Sequence, residues 1–243
     1  MFVPRQDMEN DRHIFLGARK AHWERTRMYN ALTIKENDRI LIVAPHPDDE
    51  TIGCGGILAA YGPQCSVLLL TDGRLGKKTQ GQSEAETAAV RKKEFETVMA
   101  FFGIDRFRVL DIQDGQLSSC RKEVPFLDLS AYDFIFVPNR NERHPDHKAA
   151  YVIFRTMSRR QRVEARLIEY EVWSPIISAN CFFDISGLID KKTGALKLYA
   201  SQICEIDYEA MARGLNSYRG APQHVNYCEA YFSGEKDRIN RRQ

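Results

Sequence analysis

Two short stretches carry most of the chemistry this chain offers: His46-Pro47-Asp48-Asp49-Glu50 and Arg143-His144-Pro145-Asp146-His147. In the first, His46 and Asp49 lie three residues apart, a spacing that brings two side chains to one side where a loop turns into a helix. The second adds His147. Two imidazoles and one carboxylate, with a fourth position left to water, form the ligand pattern of a catalytic zinc rather than of a closed structural one. Such an ion lowers the pKa of its water to about 7 and polarises a substrate carbonyl. Asp48, beside a ligand but facing away from it, is the candidate general base. His144, held by Asp146, is the candidate partner of a leaving amine or an oxyanion. Spacing alone does not decide which of Asp48 and Asp49 binds the ion, and the same donor set also holds Fe2+ in place of Zn2+.

Each stretch alone has a plainer reading. Asp48 or Asp49 would cap a helix starting near Glu50, and Pro145 with Asp146 would open a helix and complement its dipole. Together at two strand ends they are harder to explain that way. Acids and imidazoles crowded beside an apolar sheet repel one another and resist burial unless a cation neutralises them.

The elements that position these loops follow from the apolar pattern. Strands are expected at 39–44, 65–71, 107–110, 132–138 and 167–172, with helices at 50–61, 84–102 and 146–157 between them. This alternation predicts an α/β fold: a Rossmann-like, mainly parallel twisted sheet flanked by helices as a three-layer sandwich. Ligand sites in such sheets lie beyond the carboxyl ends of the strands, which directs attention to the loops 45–56, 71–78 and 138–147. Beyond residue 172 the pattern weakens, with a strand at 182–185 and helices at 196–201 and 208–215. Residues 1–37 read as a leader helix packed on the domain, 38–233 as the domain, and 234–243 as a charged tail.

The run Ala44-Pro45-His46-Pro47-Asp48-Asp49-Glu50-Thr51-Ile52-Gly53-Cys54-Gly55-Gly56, together with His144-Pro145-Asp146-His147, resembles the LmbE-like (PIG-L) deacetylases. Further marks are Thr71-Asp72-Gly73-Arg74-Leu75-Gly76, the 91–94 stretch RKKE, Asp114-Gly115, the 197–202 stretch KLYASQ and the 227–232 stretch YCEAYF. The resemblance implies zinc on His46, Asp49 and His147, with Asp48 as base and His144 as acid or oxyanion partner. It also implies an N-acetylated amino sugar of the GlcNAc type as small-molecule substrate, with Asp114 on the sugar hydroxyls. Many members place an arginine directly after the threonine of the second-strand loop. Here Asp72 stands there and Arg74 comes two residues later, so Arg74, Lys77 or Lys78 are the candidates to meet an anionic aglycone.

Bulk properties narrow the partners. With 243 residues and 43% hydrophobic content the chain can bury one sizeable core. A net charge of +2 supplies no global field for nucleic acid or an anionic membrane, and the basic 159–162 stretch lacks the aromatic interleaving of a nucleic-acid site. No apolar run reaches the roughly 20 residues of a membrane span, and six scattered cysteines suit reduced thiols, so cytoplasmic localisation is expected. The oligomeric state is open, a homo-oligomer included. Gly53, Gly55 and Gly56 lack the spacing of a dinucleotide fingerprint, and Gly55 and Gly56 read as close-packing positions. His13, His22 and His224 stand alone. Two other classes compete: an inactive carbohydrate-binding homologue, and a metal-dependent phosphoesterase, which usually needs more bridging carboxylates.

Overall fold

The computed structural model describes residues 30–78, 81–204 and 206–234. Seven strands form one sheet: β1 (Ile40–Ala44), β2 (Cys65–Thr71), β3 (Arg106–Ile112), β4 (Phe134–Pro138), β5 (Arg166–Tyr170), β6 (Cys181–Asp184) and β7 (Cys228–Ser233). Five helices accompany them: α1 (Asp49–Tyr61), α2 (Glu84–Phe102), α3 (Pro145–Gln161), α4 (Ile189–Leu196) and α5 (Tyr208–Gly220). The strand order is β3-β2-β1-β4-β5-β7-β6. The first five strands run parallel, β7 is antiparallel to β5, and β6 is antiparallel to β7.

Side-chain alternation along the strands builds the two flanking layers. Ile40 and Ile42 face one way, into a cluster with Ile57 of α1, Phe95 and Met99 of α2, Leu196 of α4 and Ala212 of α5. Leu41 and Val43 face the other way, toward Ala150 and Phe154 of α3 and Leu129 of the long β3–β4 connection. Since β1 leads to helices on the first face and β4 leads to α3 on the second, a crevice opens between the carboxyl ends of these adjacent strands. Both charged loops empty into it.

Close packing of α1 explains its glycines. A Cβ on Gly53 would stand 2.1 Å from Cδ2 of Tyr170, whose ring is buried and whose hydroxyl donates to the carbonyl of Val43 at 2.7 Å. A Cβ on Gly56 would meet Ile185 at 2.2 Å. Helix α2 opens with a capping box, in which Ser83 accepts from the N–H of Glu86 and the Glu86 side chain accepts from the N–H of Ser83.

Three expectations change in the C-terminal third and at the ends. The helix expected at 196–201 lies earlier, as α4, and 197–204 are turns. There the side chains serve as ties: the N–H and Oγ of Ser201 both donate to Glu94 at 2.7 Å, and Tyr199 donates to Glu50. The 227–232 stretch supplies a sheet strand, β7, that the apolar pattern did not call for. The leader helix expected within 1–37 falls largely on 1–29, outside the described residues. Residues 30–37 are non-helical, with Leu32 and Ile34 buried and Ala31 bridged to Phe182. Of the tail, only Gly234 is described.

Candidate metal centre

His46 leaves the end of β1, Asp49 begins α1, and His147 sits in the first turn of α3. Their donor atoms converge. Nδ1 of His46, Nε2 of His147 and Oδ2 of Asp49 stand 3.1 Å from one another on all three edges. Tetrahedral zinc with bonds of about 2.0–2.2 Å separates its ligand atoms by roughly 3.3–3.5 Å, so this triangle is close to the size a divalent ion requires. Spacing alone left Asp48 and Asp49 open as the carboxylate ligand and the family resemblance implied Asp49; the structure turns Asp49 toward the two imidazoles.

The far side of each imidazole is also occupied. Nε2 of His46 lies 3.0 Å from Oδ1 of Asp114 and 3.4 Å from Oδ2 of Asp146. Nδ1 of His147 lies 3.6 Å from Oε2 of Glu142. Carboxylates behind imidazoles fix the tautomer that leaves the inner nitrogen free for metal. Among the described residues, the groups His46/His144/His147 and His46/Asp114/Asp146 also offer donor atoms within 4.8 Å of one another. The second of these is committed elsewhere: Asp146 accepts from the N–H groups of Gly115 and Leu117 at 2.7 and 3.1 Å, and Asp114 accepts from that of Leu75 at 3.2 Å.

Electrostatics point the same way. Burial opposes a charged His46, yet hydrogen bonds to Asp114, Asp146 and Asp49 outweigh it and lift the imidazole well above its ordinary range. Burial likewise opposes a charged His147, but Asp49 raises it to about 9. Asp49 in turn is held well below the usual carboxylate range, because His147 and His46 overcome its burial. Without a cation, the cluster would draw two protonated imidazoles to 3.1 Å from each other. A divalent ion at the centre removes that conflict, and the residues present fit one.

Asp48 does not cap α1: as N-cap residue it makes no side-chain cap bond, and its φ of 119° is a strained conformation for a residue with a side chain. Its Oδ2 instead accepts from Nη2 of Arg91 at 3.2 Å and from the hydroxyl of Tyr208 at 2.9 Å. Burial lifts its carboxyl to about 6, with Arg91 pulling the other way. Arg91 also donates to the carbonyls of Pro47 and Gly73 at 2.7 and 2.9 Å, binding the first two strand-end loops together. His144 stands at the N-cap of α3, its ring 4.6 Å from that of His46, and its Nδ1 accepts from the N–H of Asp146 at 3.2 Å.

Two expected roles shift with this placement. The Asp146 carboxylate does not hold His144; it points back to the 115–117 backbone and His46, and only its main-chain N–H meets His144. Arg74 turns to Asp72, with Nε to Oδ2 at 2.7 Å, and is absent from the cavity wall. That cavity, of about 690 Å³, is lined by His46, Asp48, Asp49, Asp114 and His144 together with Lys77, Lys78, Trp173, Gln202, Ile206 and Tyr208. Tyr208 and Trp173, whose rings lie 6.1 Å apart, escaped the sequence reading, because single aromatics from segments remote from both motifs carry no local signal. Arg91 was visible only as part of a family mark.

Comparison with known proteins agrees with this geometry. Residues 41–158 match the family described as GlcNAc-PI de-N-acetylase, PIG-L. The chain is 29% identical over 217 residues to the diacetylchitobiose deacetylase of Thermococcus kodakarensis, covering 79% of this chain and 81% of that protein. It is 26% identical over 186 residues to the probable N-acetyl-alpha-D-glucosaminyl L-malate deacetylase 2 of Bacillus cereus, covering 67% of this chain and 83% of that one. Among solved structures, the N,N'-diacetylchitobiose deacetylase from Pyrococcus horikoshii shares the fold, with a TM-score of 0.70 at 23% identity over 82% of this chain and 85% of that one. The chain therefore carries the PIG-L (LmbE-like) match over residues 41–158 and is similar to sugar deacetylases over most of its length.

Proposed function

We propose that this protein is a zinc-dependent deacetylase that hydrolyses the N-acetyl group of a GlcNAc-type amino sugar to acetate and free amine. The observation that carries this reading is the equilateral set of His46, Asp49 and His147 donor atoms facing Asp48 in a sugar-sized cavity. The named relatives support the substrate class. Zinc, when bound, supplies a water of lowered pKa and a Lewis acid for the acetamide oxygen, and ferrous iron fits the same donors.

The chain's own groups do the rest. Asp48 takes the proton of the attacking water, and Arg91 with Tyr208 keeps its carboxylate aimed and ionised. His144 receives an N–H at Nδ1, so its neutral ring carries its proton on Nε2. That N–H is the donor to the oxyanion that develops on the acetamide carbonyl. Asp114 and Asp146 are positioning residues behind His46, and Asp114 also lines the cavity where sugar hydroxyls bind. Lys77 and Lys78, which line the cavity as Arg74 does not, are better placed to meet an aglycone.

Residues 38–233 form the catalytic unit. All six cysteines are free, which supports a reducing compartment such as the cytoplasm. No helix among the described residues is long and apolar enough to cross a membrane.

Loading the protein with zinc and following acetate release from N-acetylglucosamine, diacetylchitobiose and GlcNAc conjugates tests the activity. Asp48→Asn should lower kcat by about 100- to 10,000-fold while zinc content stays unchanged. Full turnover by that variant would remove Asp48 as base, and no acetate from any member of the panel would remove the deacetylase reading.

A further inference from the structure

Glu142 is fully buried, and its two carboxylate oxygens face opposite ways. Oε1 accepts from the N–H groups of Val172, Trp173 and Ser174 at 3.2, 3.1 and 3.0 Å, and from Nδ2 of Asn139 at 3.2 Å. Oε2 lies 3.6 Å from Nδ1 of His147. Neither of these last two atoms has a hydrogen-bond partner within 3.5 Å, although both are shielded from solvent. Buried polar atoms are nearly always paired, so two that face each other alone point to a shared proton. Nε2 of His147, on the other side of the ring, faces Asp49 and His46.

On the metal reading given above, we propose that Glu142 is a positioning residue that serves both ends of the site at once. Its Oε2 takes the Nδ1–H of His147, and its Oε1 gathers the backbone that carries Trp173 to the cavity wall. A neutral imidazole has one N–H, and a carboxylate only accepts. With the proton drawn to Nδ1, the lone pair of Nε2 is directed at the metal cradle. The three successive N–H groups converging on Oε1 form a nest for its negative charge, which fixes the carboxylate and so fixes the ring. One side chain thereby couples the aim of a metal ligand to the loop that shapes the substrate wall.

The isosteric variant Glu142→Gln separates this role from simple packing. Three backbone donors accept only an oxygen at the Oε1 position, so the amide must turn its NH2 toward His147. A donor there makes Nδ1 an acceptor and moves the ring proton to Nε2, into the cradle. Zinc affinity, read by competition with a chromogenic chelator, should weaken by about 10- to 100-fold, the range typical of lost outer partners of metal-binding histidines. Near-ultraviolet circular dichroism of the 172–174 loop and its tryptophan should stay as in the wild type. A folded E142Q protein that holds zinc within about twofold of the wild type would overturn the proposal while leaving the metal centre intact. A wild-type protein that holds no zinc would overturn the metal centre itself, and this inference with it. Should E142Q not fold, the wild type still decides the matter. Long-range proton–nitrogen NMR of the zinc-loaded chain should place the proton of His147 on Nδ1, and a proton-free Nδ1 would sink the proposal.

Discussion

At the scale of single residues, Asp48 shows how much work surrounds the proposed base. Its backbone is held at positive φ, its helix goes without a side-chain cap, and two side chains from other elements share one of its oxygens. The hydroxyl of Tyr208 favours the ionised form, so Tyr208→Phe should raise the pKa of Asp48 and lower kcat by about tenfold, the scale of one hydrogen bond to a charged group. In the pH–rate profile the acidic limb should move toward neutrality. A profile identical to the wild type would show that Tyr208 merely packs. The convergence of His46, Asp49 and His147 was legible in the sequence, since each motif concentrates several donors within five residues. Tyr208 was not, because its partner Asp48 lies 160 positions away and nothing local distinguishes it from an ordinary aromatic of an amphipathic helix.

At the scale of elements, β1, β2 and β4 were legible because both faces of each are covered, which leaves near-continuous apolar runs such as Ile40-Leu41-Ile42-Val43-Ala44. The helix expected at 196–201 ends at Leu196, since beyond it Tyr199 turns to Glu50 and Ser201 to Glu94 instead of continuing a helical stripe. Strand β7 was missed because Glu229 interrupts its apolar pattern. That carboxylate is buried, accepting from Lys192 at 2.7 Å, from the Gly56 N–H at 2.8 Å and from Tyr231 at 2.6 Å. Contact between α1 and the sheet depends on the glycines. Gly53→Ala would gain about 1 kcal/mol of helix propensity but force a methyl into a pinned tyrosine ring, an overpacking cost of about 1–3 kcal/mol or more. Urea unfolding should show a net loss of stability, with weaker retention of zinc, because α1 carries Asp49. Stability equal to the wild type would mean that the helix shifts freely over Tyr170.

For the whole molecule, the buried acids and imidazoles link stability to pH and to metal. In the metal-free protein burial raises Asp48 to about 6 and Glu50 to about 7, and Asp49 outweighs burial to raise His147 to about 9. A group whose pKa is raised by folding stabilises the fold below its unfolded value, and that contribution is lost as pH climbs through the folded value. All three shifts therefore act in one direction within a window of about pH 4 to 9, Asp48 from about 4 to 6, Glu50 from about 4.5 to 7 and His147 from about 6.5 to 9, whereas the depressed pKa of Asp49 matters only in acid. The Tm of chelator-treated protein should fall across that window. The increment added by zinc should grow across it, since metal competes with those same protons. A chelated Tm that stayed level or rose would contradict the burial of this cluster in its protonated form.

The position of β7 has a consequence for how the protein is made. It lies between β5 and β6 and supplies the carboxylate that neutralises the buried amine of Lys192, yet it is the most C-terminal of the seven strands. When a ribosome has just added Tyr227, all three proposed metal ligands have been synthesised, but β6 has only its short bridge to Ala31 and the ammonium of Lys192 has no Glu229. Nascent chains stalled at that point would be open to proteolysis on the 181–196 side until residues 228–233 are added.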